Sequence, residues 1–310
     1  MKAATIPAPT EAGLPKPAKT AKRGTILSYI ELAKFKMVLN ILLTTFVGYY
    51  LGSPVEFNLP LLWLTLLGTG ILAVGAFALN QAMEKEYDKR MDRTRGRPIP
   101  TERVGQGAAY IFGFACLIAG TAQLWLQVNP LTAGLGAATL ILYAAVYTPM
   151  KRYSSLNTLV GAIPGALPPL MGWTAVQNSL GLGGLVLAAI LFFWQMPHFL
   201  ALAWMYKNDY AQGGFKMLSV TDPTGEALFR HAVLETLILI LVSLFPYFFG
   251  IAGPWYLICA ILGGGYFLLA AVSLTRRRTR EAARNLFFVS LAYLPLVLLA
   301  LAFNKTLQFI

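Results

Sequence analysis

Charged residues are scarce in this chain of 310 residues. They account for 12% of it, whereas soluble domains carry about 25%. This shortage excludes an ordinary water-soluble globule, as do the 57% of hydrophobic residues and the mean hydropathy of +0.61. Cysteine is also rare. Cys116 and Cys259 both lie inside apolar runs, which is typical of small core side chains and excludes a disulfide scaffold.

Nine long apolar runs follow one another along the chain. A membrane-spanning helix needs about 20 predominantly apolar residues, and each run approaches or exceeds that length. The sequence therefore predicts an all-α, polytopic membrane protein with nine transmembrane helices. The predicted spans are 37–53, 59–82, 105–127, 131–149, 156–177, 182–204, 232–251, 254–275 and 285–304.

The first 24 residues differ in composition from the rest. Residues 1–24 are rich in Pro, Ala, Thr and Lys and have no apolar periodicity. We interpret them as a flexible, basic N-terminal tail rather than a cleaved signal peptide, which requires a continuous apolar stretch. Residues 25–310 are predicted to form one nine-helix domain.

Lys and Arg are absent from every second connection between the predicted spans. If the N-terminus is cytoplasmic, the outer connections 54–58, 128–130, 178–181 and 252–253 contain neither residue, and every Lys and Arg except Lys305 falls on the inner side. Basic residues favour the cytoplasmic side. We therefore expect a multi-pass protein of the bacterial inner membrane with an outer C-terminus. The same distribution explains the net charge of +12 without a nucleic-acid partner.

The end of the second predicted span carries polar residues at a spacing of four, namely Asn80, Glu84, Asp88 and Asp92. Four residues of an α-helix turn about 400°, so a continuous helix would place all four on one face. Neighbouring carboxylates repel each other, so the pattern indicates a bound cation, and oxygen ligands of this kind suit Mg²⁺. The alternative is a solvated helix end in which the interleaved Lys and Arg side chains pair with the acids.

Cationic residues near these acids indicate an anionic partner for the cation. Arg93 and Arg97 follow the acids directly, and guanidinium groups bind phosphate oxygens. The connection after the sixth span carries Lys207, Asp209 and Lys216, which by the predicted orientation lie on the same side of the membrane. Asp209 would add a metal contact and the lysines would neutralise phosphate. The two segments together predict a site for a magnesium-bound diphosphate.

The fifth and sixth spans contain residues that are unusual within apolar helices. His198 lies inside the sixth span next to Pro197, and an ionisable residue in a membrane is a functional candidate, although a hydrogen-bonded core histidine is the simpler interpretation. Small residues and prolines in the fifth span either pack helices closely or line a cavity, and both interpretations stay open. They are Gly161, Pro164, Gly165, Pro168, Pro169 and Gly172.

Four pieces of the sequence resemble the UbiA superfamily of intramembrane prenyltransferases, and the last two resemble its haem-modifying branch. The resemblance covers residues 30 to 310. Two positions depart from the family pattern, because Glu84 stands where Asp is usual and Asp209 stands alone where two aspartates are common, with Asp222 as a distant substitute. The four pieces are Asn80-x-x-x-Glu84-x-x-x-Asp88-x-x-x-Asp92-Arg93-Thr94-x-x-Arg97-Pro98, Tyr147-Thr148-Pro149-x-Lys151-Arg152, Trp194-Gln195-x-Pro197-His198-Phe199 and Asp209-Tyr210-x-x-Gly213-Gly214-x-x-Met217-Leu218.

The resemblance implies helices around a central cavity that opens near the cytoplasmic face. It also implies transfer of the farnesyl group of farnesyl diphosphate to a vinyl group of haem B, with addition of water. Mg²⁺ would be the cofactor and haem B a substrate rather than a prosthetic group. The other expected partners are the lipid bilayer and a transient partner in haem A synthesis or cytochrome oxidase assembly.

The resemblance also implies roles for individual residues. His198 would face the porphyrin, and Arg152 or Arg97 would pair with a haem propionate. The metal ligands would be Asn80, Glu84, Asp88 and Asp209. The residues implied in catalysis are Asp88, Asp92, Lys151 and Asp209. The residues implied in binding the substrates are Arg93, Arg97, Tyr147, Arg152, His198, Lys207 and Lys216.

Three alternatives follow from the same residues. A prenyltransferase of this superfamily that acts on a quinone precursor or a chlorophyll precursor would share the diphosphate site and differ only in the acceptor pocket. A secondary transporter would need ionisable groups near the bilayer midplane and on both faces, yet the outer connections carry almost no charge apart from Glu56. A structural subunit of a respiratory assembly would have no use for the acids spaced by four.

Overall fold

The computed structural model describes residues 24–53 and 56–306. Within these ranges the secondary structure is helical, and the only pairing of extended backbone is an isolated bridge between Ala252 and Lys305. The predicted tail lies outside the described residues except for Gly24. An all-α fold is therefore confirmed.

Nine helices within the described ranges are long and apolar enough to cross a bilayer, which confirms the predicted number. A short helix, α1 (Thr25–Leu32), precedes them, and three further short helices lie on connections. In chain order, the remaining helices are α2 (Phe35–Gly52), α3 (Leu59–Met83), the short α4 (Lys85–Asp88), α5 (Gln106–Gln127), α6 (Pro130–Ile141) with its π-helical continuation (Leu142–Tyr147) and α7 (Thr148–Met150), α8 (Asn157–Gln177), α9 (Leu182–Met205), the short α10 (Lys207–Gln212) and α11 (Leu218–Thr221), α12 (Glu226–Phe248), α13 (Pro254–Arg277) and α14 (Arg280–Phe303).

Capping residues set several helix starts. Asn58 and Asn129 each accept a hydrogen bond from a backbone N–H in the first turn of α3 and α6, as N-cap side chains do. α12 begins before the predicted start at residue 232, because the Asp222 carboxylate accepts hydrogen bonds from the N–H groups of Gly225 and Ala227. Asp222 therefore caps the start of α12, and its use as a substitute metal ligand stays a prediction.

The helices form two packed groups on either side of α2 and α8. The larger buried cluster draws most of its residues from α9, α12, α13 and α14, and a smaller one joins α3, α5 and α6. At the end of the bundle where α2 finishes, the Lys305 ammonium group donates hydrogen bonds to the carbonyl oxygens of Tyr50 and Ser53. This contact ties the end of α14 to the end of α2.

The backbones of α2 and α8 approach very closely. A Cβ atom at Gly48 would lie 1.9 Å from the carbonyl oxygen of Pro169, and one at Gly172 would lie 1.9 Å from that of Thr45. Without a hydrophobic driving force between helices in lipid, close packing of small residues is a main source of helix association. Part of the Gly and Pro content of the fifth span therefore serves packing.

We expect Gly48→Ala to destabilise the protein, because the added methyl group would meet backbone atoms that cannot rotate away. Overpacking of this kind costs about 1–3 kcal/mol. Thermal unfolding of the purified protein in detergent would measure it as a lower Tm. Gly265→Ala on α13 is the matched control, since nothing lies within 4 Å of its added Cβ. Equal Tm values for the two variants would contradict the close approach of α2 and α8.

Candidate active site

A cavity of about 400 Å³ lies among α2, α3, α6, α8 and α9. Its volume falls in the range of small-molecule sites. Its charged lining comes from one end of the bundle, where α2 begins and α3 and α7 finish, and the rest of its wall is mainly apolar. The charged lining residues are Lys34, Glu84, Asp88, Arg93, Arg97 and Lys151.

The helix of the second span does not continue through the acids to Asp92. α3 stops at Met83, Glu84 leaves the helical region with φ −97° and ψ 7°, and a short helix α4 follows. The Thr94 hydroxyl then donates a hydrogen bond to the carbonyl oxygen of Asp88 and holds a turn. The prediction of one continuous helical face from Asn80 to Asp92 is therefore wrong.

This break separates the four polar residues into two sets. Asn80, Glu84 and Asp88 line the cavity, whereas Asp92 is exposed and pairs with Arg95 at 3.2 Å. Beyond the helix, a spacing of four no longer fixes which way a side chain points. The structure therefore does not bring Asp92 to the site.

Both cavity acids are buried and paired with a cation. Glu84 is 3% exposed, and its carboxylate accepts a hydrogen bond from the Lys151 ammonium group at 2.9 Å. Asp88 is 0% exposed, and its Oδ2 accepts one from Arg97 at 2.7 Å. The other oxygen, Oδ1 of Asp88, is buried without a hydrogen-bond partner among the described residues. A buried carboxylate oxygen in this state is a position where a cation would fit.

The pKa values reflect this balance of burial and charge. Burial raises the pKa of the Asp88 carboxyl group above its ordinary value, and Arg97 opposes the shift. Burial alone would lower the pKa of Lys151, but Glu84, followed by the nearby tyrosines, raises it above its ordinary value. The Lys151 ammonium group is therefore a fixed positive charge beside the acids.

Lys34 is a site residue that the sequence analysis missed. It joins α1 to α2 in a left-handed conformation (φ 50°), and its ammonium group donates a hydrogen bond to Asn80 Oδ1 at 3.5 Å. Burial, reinforced by Arg97, lowers the pKa of Lys34 well below its ordinary value. In the sequence it resembles any basic residue that precedes a first span. The left-handed backbone of Lys34 is costly for a non-glycine residue, and no local sequence pattern predicts it.

Several other predicted site residues do not line the cavity. Arg152 donates a hydrogen bond to the carbonyl oxygen of Met83 at 2.6 Å and lies over the Tyr87 ring, so it caps the end of α3. Lys207 lies over the Trp204 ring, and the Lys216 side chain is exposed. These three side chains are fixed by local contacts or directed to solvent.

The segment after α9 approaches the acids, as predicted, through different residues from those expected. The backbone N–H of Lys216 donates a hydrogen bond to the carbonyl oxygen of Lys151, and the Arg93 guanidinium group donates one to the Tyr210 hydroxyl. Tyr210 lines the cavity and Asp209 does not. Consecutive residues of a helix point about 100° apart, so the two neighbours on α10 face different surroundings.

A second part of the cavity wall is aromatic. Tyr147, Trp194, His198 and Phe199 line it, and the ring of His198 lies near those of Trp194 and Phe287. Gly161 makes room for Tyr147, because a Cβ atom there would lie 2.5 Å from the Tyr147 ring. Four Gly and Pro residues of the fifth span line the cavity, so both interpretations of these residues hold. The four are Gly161, Pro164, Gly165 and Pro168.

Comparison with known proteins matches this arrangement to one family. The model of the UbiA prenyltransferase family matches residues 41–292. The chain belongs to this family. The protoheme IX farnesyltransferase of Solibacter usitatus is 46% identical over 278 residues, which cover 87% of this chain and 95% of that protein. The human mitochondrial protoheme IX farnesyltransferase is 39% identical over 270 residues, which cover 87% of this chain and 60% of that protein.

Solved structures of UbiA proteins share the fold. A digeranylgeranylglyceryl phosphate synthase superposes with a TM-score of 0.74 at 20% identity, covering 90% of this chain and 98% of that chain. A UbiA homologue from Archaeoglobus fulgidus, bound to DMAPP and Mg²⁺, superposes with a TM-score of 0.64 at 16% identity, covering 89% of this chain and 99% of that chain. This UbiA protein is thus an enzyme with the family's membrane-embedded helical fold.

We expect Lys151→Met to lower the stability of this UbiA protein, because it would leave the Glu84 carboxylate buried without its cation. Removal of one partner from a buried ion pair costs about 3–5 kcal/mol. Thermal unfolding would show the loss as a lower Tm. Lys89→Met is the control, since it breaks a surface pair with Glu86 that contributes less than about 1 kcal/mol. A Lys151→Met protein as stable as the control would contradict the pairing.

Proposed function

We propose that this protein transfers the farnesyl group of farnesyl diphosphate to a vinyl group of haem B, with addition of water, to give haem O and diphosphate. The observation that carries the proposal is a cavity with one charged end and apolar walls, in a chain 46% identical to a protoheme IX farnesyltransferase over nearly its whole length. A substrate with a charged head and an apolar tail needs both environments in one cavity.

The charged end is suited to a diphosphate group. Three cations line it, Arg93, Arg97 and Lys151, against the two acids Glu84 and Asp88. Lys34, whose pKa is lowered by burial, is a fourth basic side chain in the lining. The excess of positive charge would attract a polyanion, and arginine and lysine side chains bind phosphate oxygens. These cations would stabilise the negative charge that develops on the leaving group, where fixed charges contribute most to catalysis.

The acids fit Mg²⁺. Among the described residues no group of three His, Cys, Asp or Glu side chains could hold a metal by itself, but Mg²⁺ is usually bound by one or two carboxylates together with substrate phosphates and water. Asp88, with its unpartnered Oδ1, and Glu84 would supply the carboxylates and Asn80 an amide oxygen. The bound ion would supply Lewis acidity to the departing diphosphate. Asp209 does not line the cavity and is not one of these three proposed metal ligands.

The apolar wall is suited to the farnesyl chain. Lining residues of α3 run from Asn80 to Thr69, a distance of about 16 Å at 1.5 Å per residue. Burying the chain there would contribute about 0.8 kcal/mol per CH₂ group. The Tyr147 ring also lines the cavity, and the Lys151 ammonium group lies 4.4 Å from its centroid.

The proposed reaction takes place between the two substrates bound in this cavity. The bond between C1 of the farnesyl group and oxygen breaks, and the electron pair leaves with the diphosphate. The vinyl group of haem B attacks C1, and water adds to the resulting cation and loses a proton. His198 would face the porphyrin. The two arginines predicted to pair with a propionate have other contacts, since Arg97 pairs with Asp88 beside the proposed diphosphate position and Arg152 is bound to the end of α3.

The cellular setting is part of the proposal. The distribution of Lys and Arg supports a bacterial inner-membrane location, with the charged end of the cavity near the cytoplasmic face, the N-terminus inside and the C-terminus outside. Haem O is a precursor for further oxidation, so a transient partner in haem A synthesis or cytochrome oxidase assembly would receive the product.

We expect the purified protein to convert haem B and farnesyl diphosphate to haem O only when Mg²⁺ is present. Mass spectrometry of the extracted haem would detect the added hydroxyethylfarnesyl group, and a parallel reaction with 4-hydroxybenzoate would test a quinone-type acceptor. Prenylation of 4-hydroxybenzoate with none of haem B would contradict the proposed acceptor and leave the prenyltransferase assignment intact.

We expect Asp88→Asn to reduce Mg²⁺-dependent diphosphate release by at least 100-fold, because it removes a carboxylate from the proposed metal site while keeping its size. Release of diphosphate, measured by an enzyme-coupled assay, would report the loss. Glu86→Gln is the matched control, as Glu86 is two residues away on α4 and exposed. If Asp88→Asn retained the rate of the control, the proposed metal site would be wrong.

A further inference from the structure

The orientation of His198 is fixed by a residue from the last helix. His198 lies on α9 and is 8% exposed, and its Nδ1 atom is 2.8 Å from the hydroxyl oxygen of Ser290 on α14. The carbonyl oxygen of Ser290 accepts a hydrogen bond from the Trp194 indole N–H at 2.7 Å. Two contacts from Ser290 therefore hold one turn of α9.

The direction of the contact between His198 and Ser290 follows from the number of protons. A serine hydroxyl has one proton to donate. That of Ser290 is donated to the carbonyl oxygen of Phe287 at 2.6 Å. The Ser290 oxygen can then only accept a hydrogen bond from the histidine. Nδ1 must therefore carry a proton, and in the neutral imidazole Nε2 carries the lone pair.

Among the ring nitrogens of His198, Nε2 is the one available to a ligand in the cavity. His198 is part of the cavity lining, and its only hydrogen-bond contact among the described residues is the one at Nδ1. The rings of Trp194 at 5.1 Å and Phe287 at 4.7 Å lie at small angles to the imidazole ring. These neighbours restrict rotation of the ring, so the lone pair keeps one direction.

We propose that Ser290 is a positioning residue that holds His198 in the Nδ1-protonated form and directs its Nε2 lone pair at the iron of the haem substrate. Histidines that bind metals commonly donate their other ring N–H to an oxygen, which fixes tautomer and orientation and raises ligand basicity. The inference rests on the proposed function, because it takes haem B as the occupant of the aromatic part of the cavity.

The test measures haem binding separately from turnover. The full-length protein in detergent is titrated with ferric haem B, and the affinity and the absorption and electron paramagnetic resonance spectra are recorded without farnesyl diphosphate. We expect an imidazole-ligated spectrum for the wild type and its loss in His198→Ala, with recovery on addition of free imidazole. We expect Ser290→Ala to weaken haem binding by about 10-fold or more, the range for residues that orient a metal ligand, and to alter the spectrum.

Two further variants separate positioning from loss of packing. Ser290→Thr keeps the hydroxyl group and should restore the spectrum. Ser243→Ala removes another buried serine hydroxyl, which is bonded to Tyr293 and does not line the cavity, and should leave the haem spectrum unchanged.

The inference is overturned if Ser290→Ala binds haem with the affinity and spectrum of the wild type, or if His198→Ala keeps the imidazole-ligated spectrum. In either case, haem O formation by the wild type would leave the proposed function standing. Failure of the wild type to form haem O would instead count against the proposed function.

Discussion

The cost of burying charge among apolar helices governs the architecture of this protein. An unpaired carboxylate in such surroundings is strongly unfavourable, yet Glu84 and Asp88 are almost completely buried. Each is held by a cation from outside its own helix, Lys151 for Glu84 and Arg97 for Asp88. The turn after α3, the end of α7 and the loop that carries Arg97 must therefore meet at one point. That requirement brings a charged site together at the end of an apolar bundle.

Small residues provide the space that this site adjoins. On α8, Gly172 lets the helix approach the backbone of α2, whereas Gly161 leaves room for the Tyr147 ring beside the cavity. The helix α8 therefore both packs closely against α2 and lines the cavity. The result is a cavity whose charged end suits a diphosphate and whose walls suit an isoprenoid chain and a flat aromatic acceptor.

Much of the fold could be predicted from the sequence, because nine apolar runs long enough to cross a bilayer can be read directly from the order of the residues. The end of α3 could not, since the spacing of four continues past Glu84 into a turn. The position of Lys34 in the site could not be predicted, because no local sequence pattern indicates its left-handed backbone. Lys216 was proposed for the site but is exposed, and Ser290 was overlooked, because side-chain direction and helix pairing depend on tertiary contacts.

The most direct test of the central claim is an experimental structure with Mg²⁺ and a non-hydrolysable thio analogue of farnesyl diphosphate. The account predicts the diphosphate oxygens within hydrogen-bond distance of Lys34, Arg97 and Lys151, the ion bound to Asp88, and the isoprenoid chain along α3 towards Thr69. A diphosphate bound at the opposite end of the bundle, or an ion held without Asp88, would contradict it.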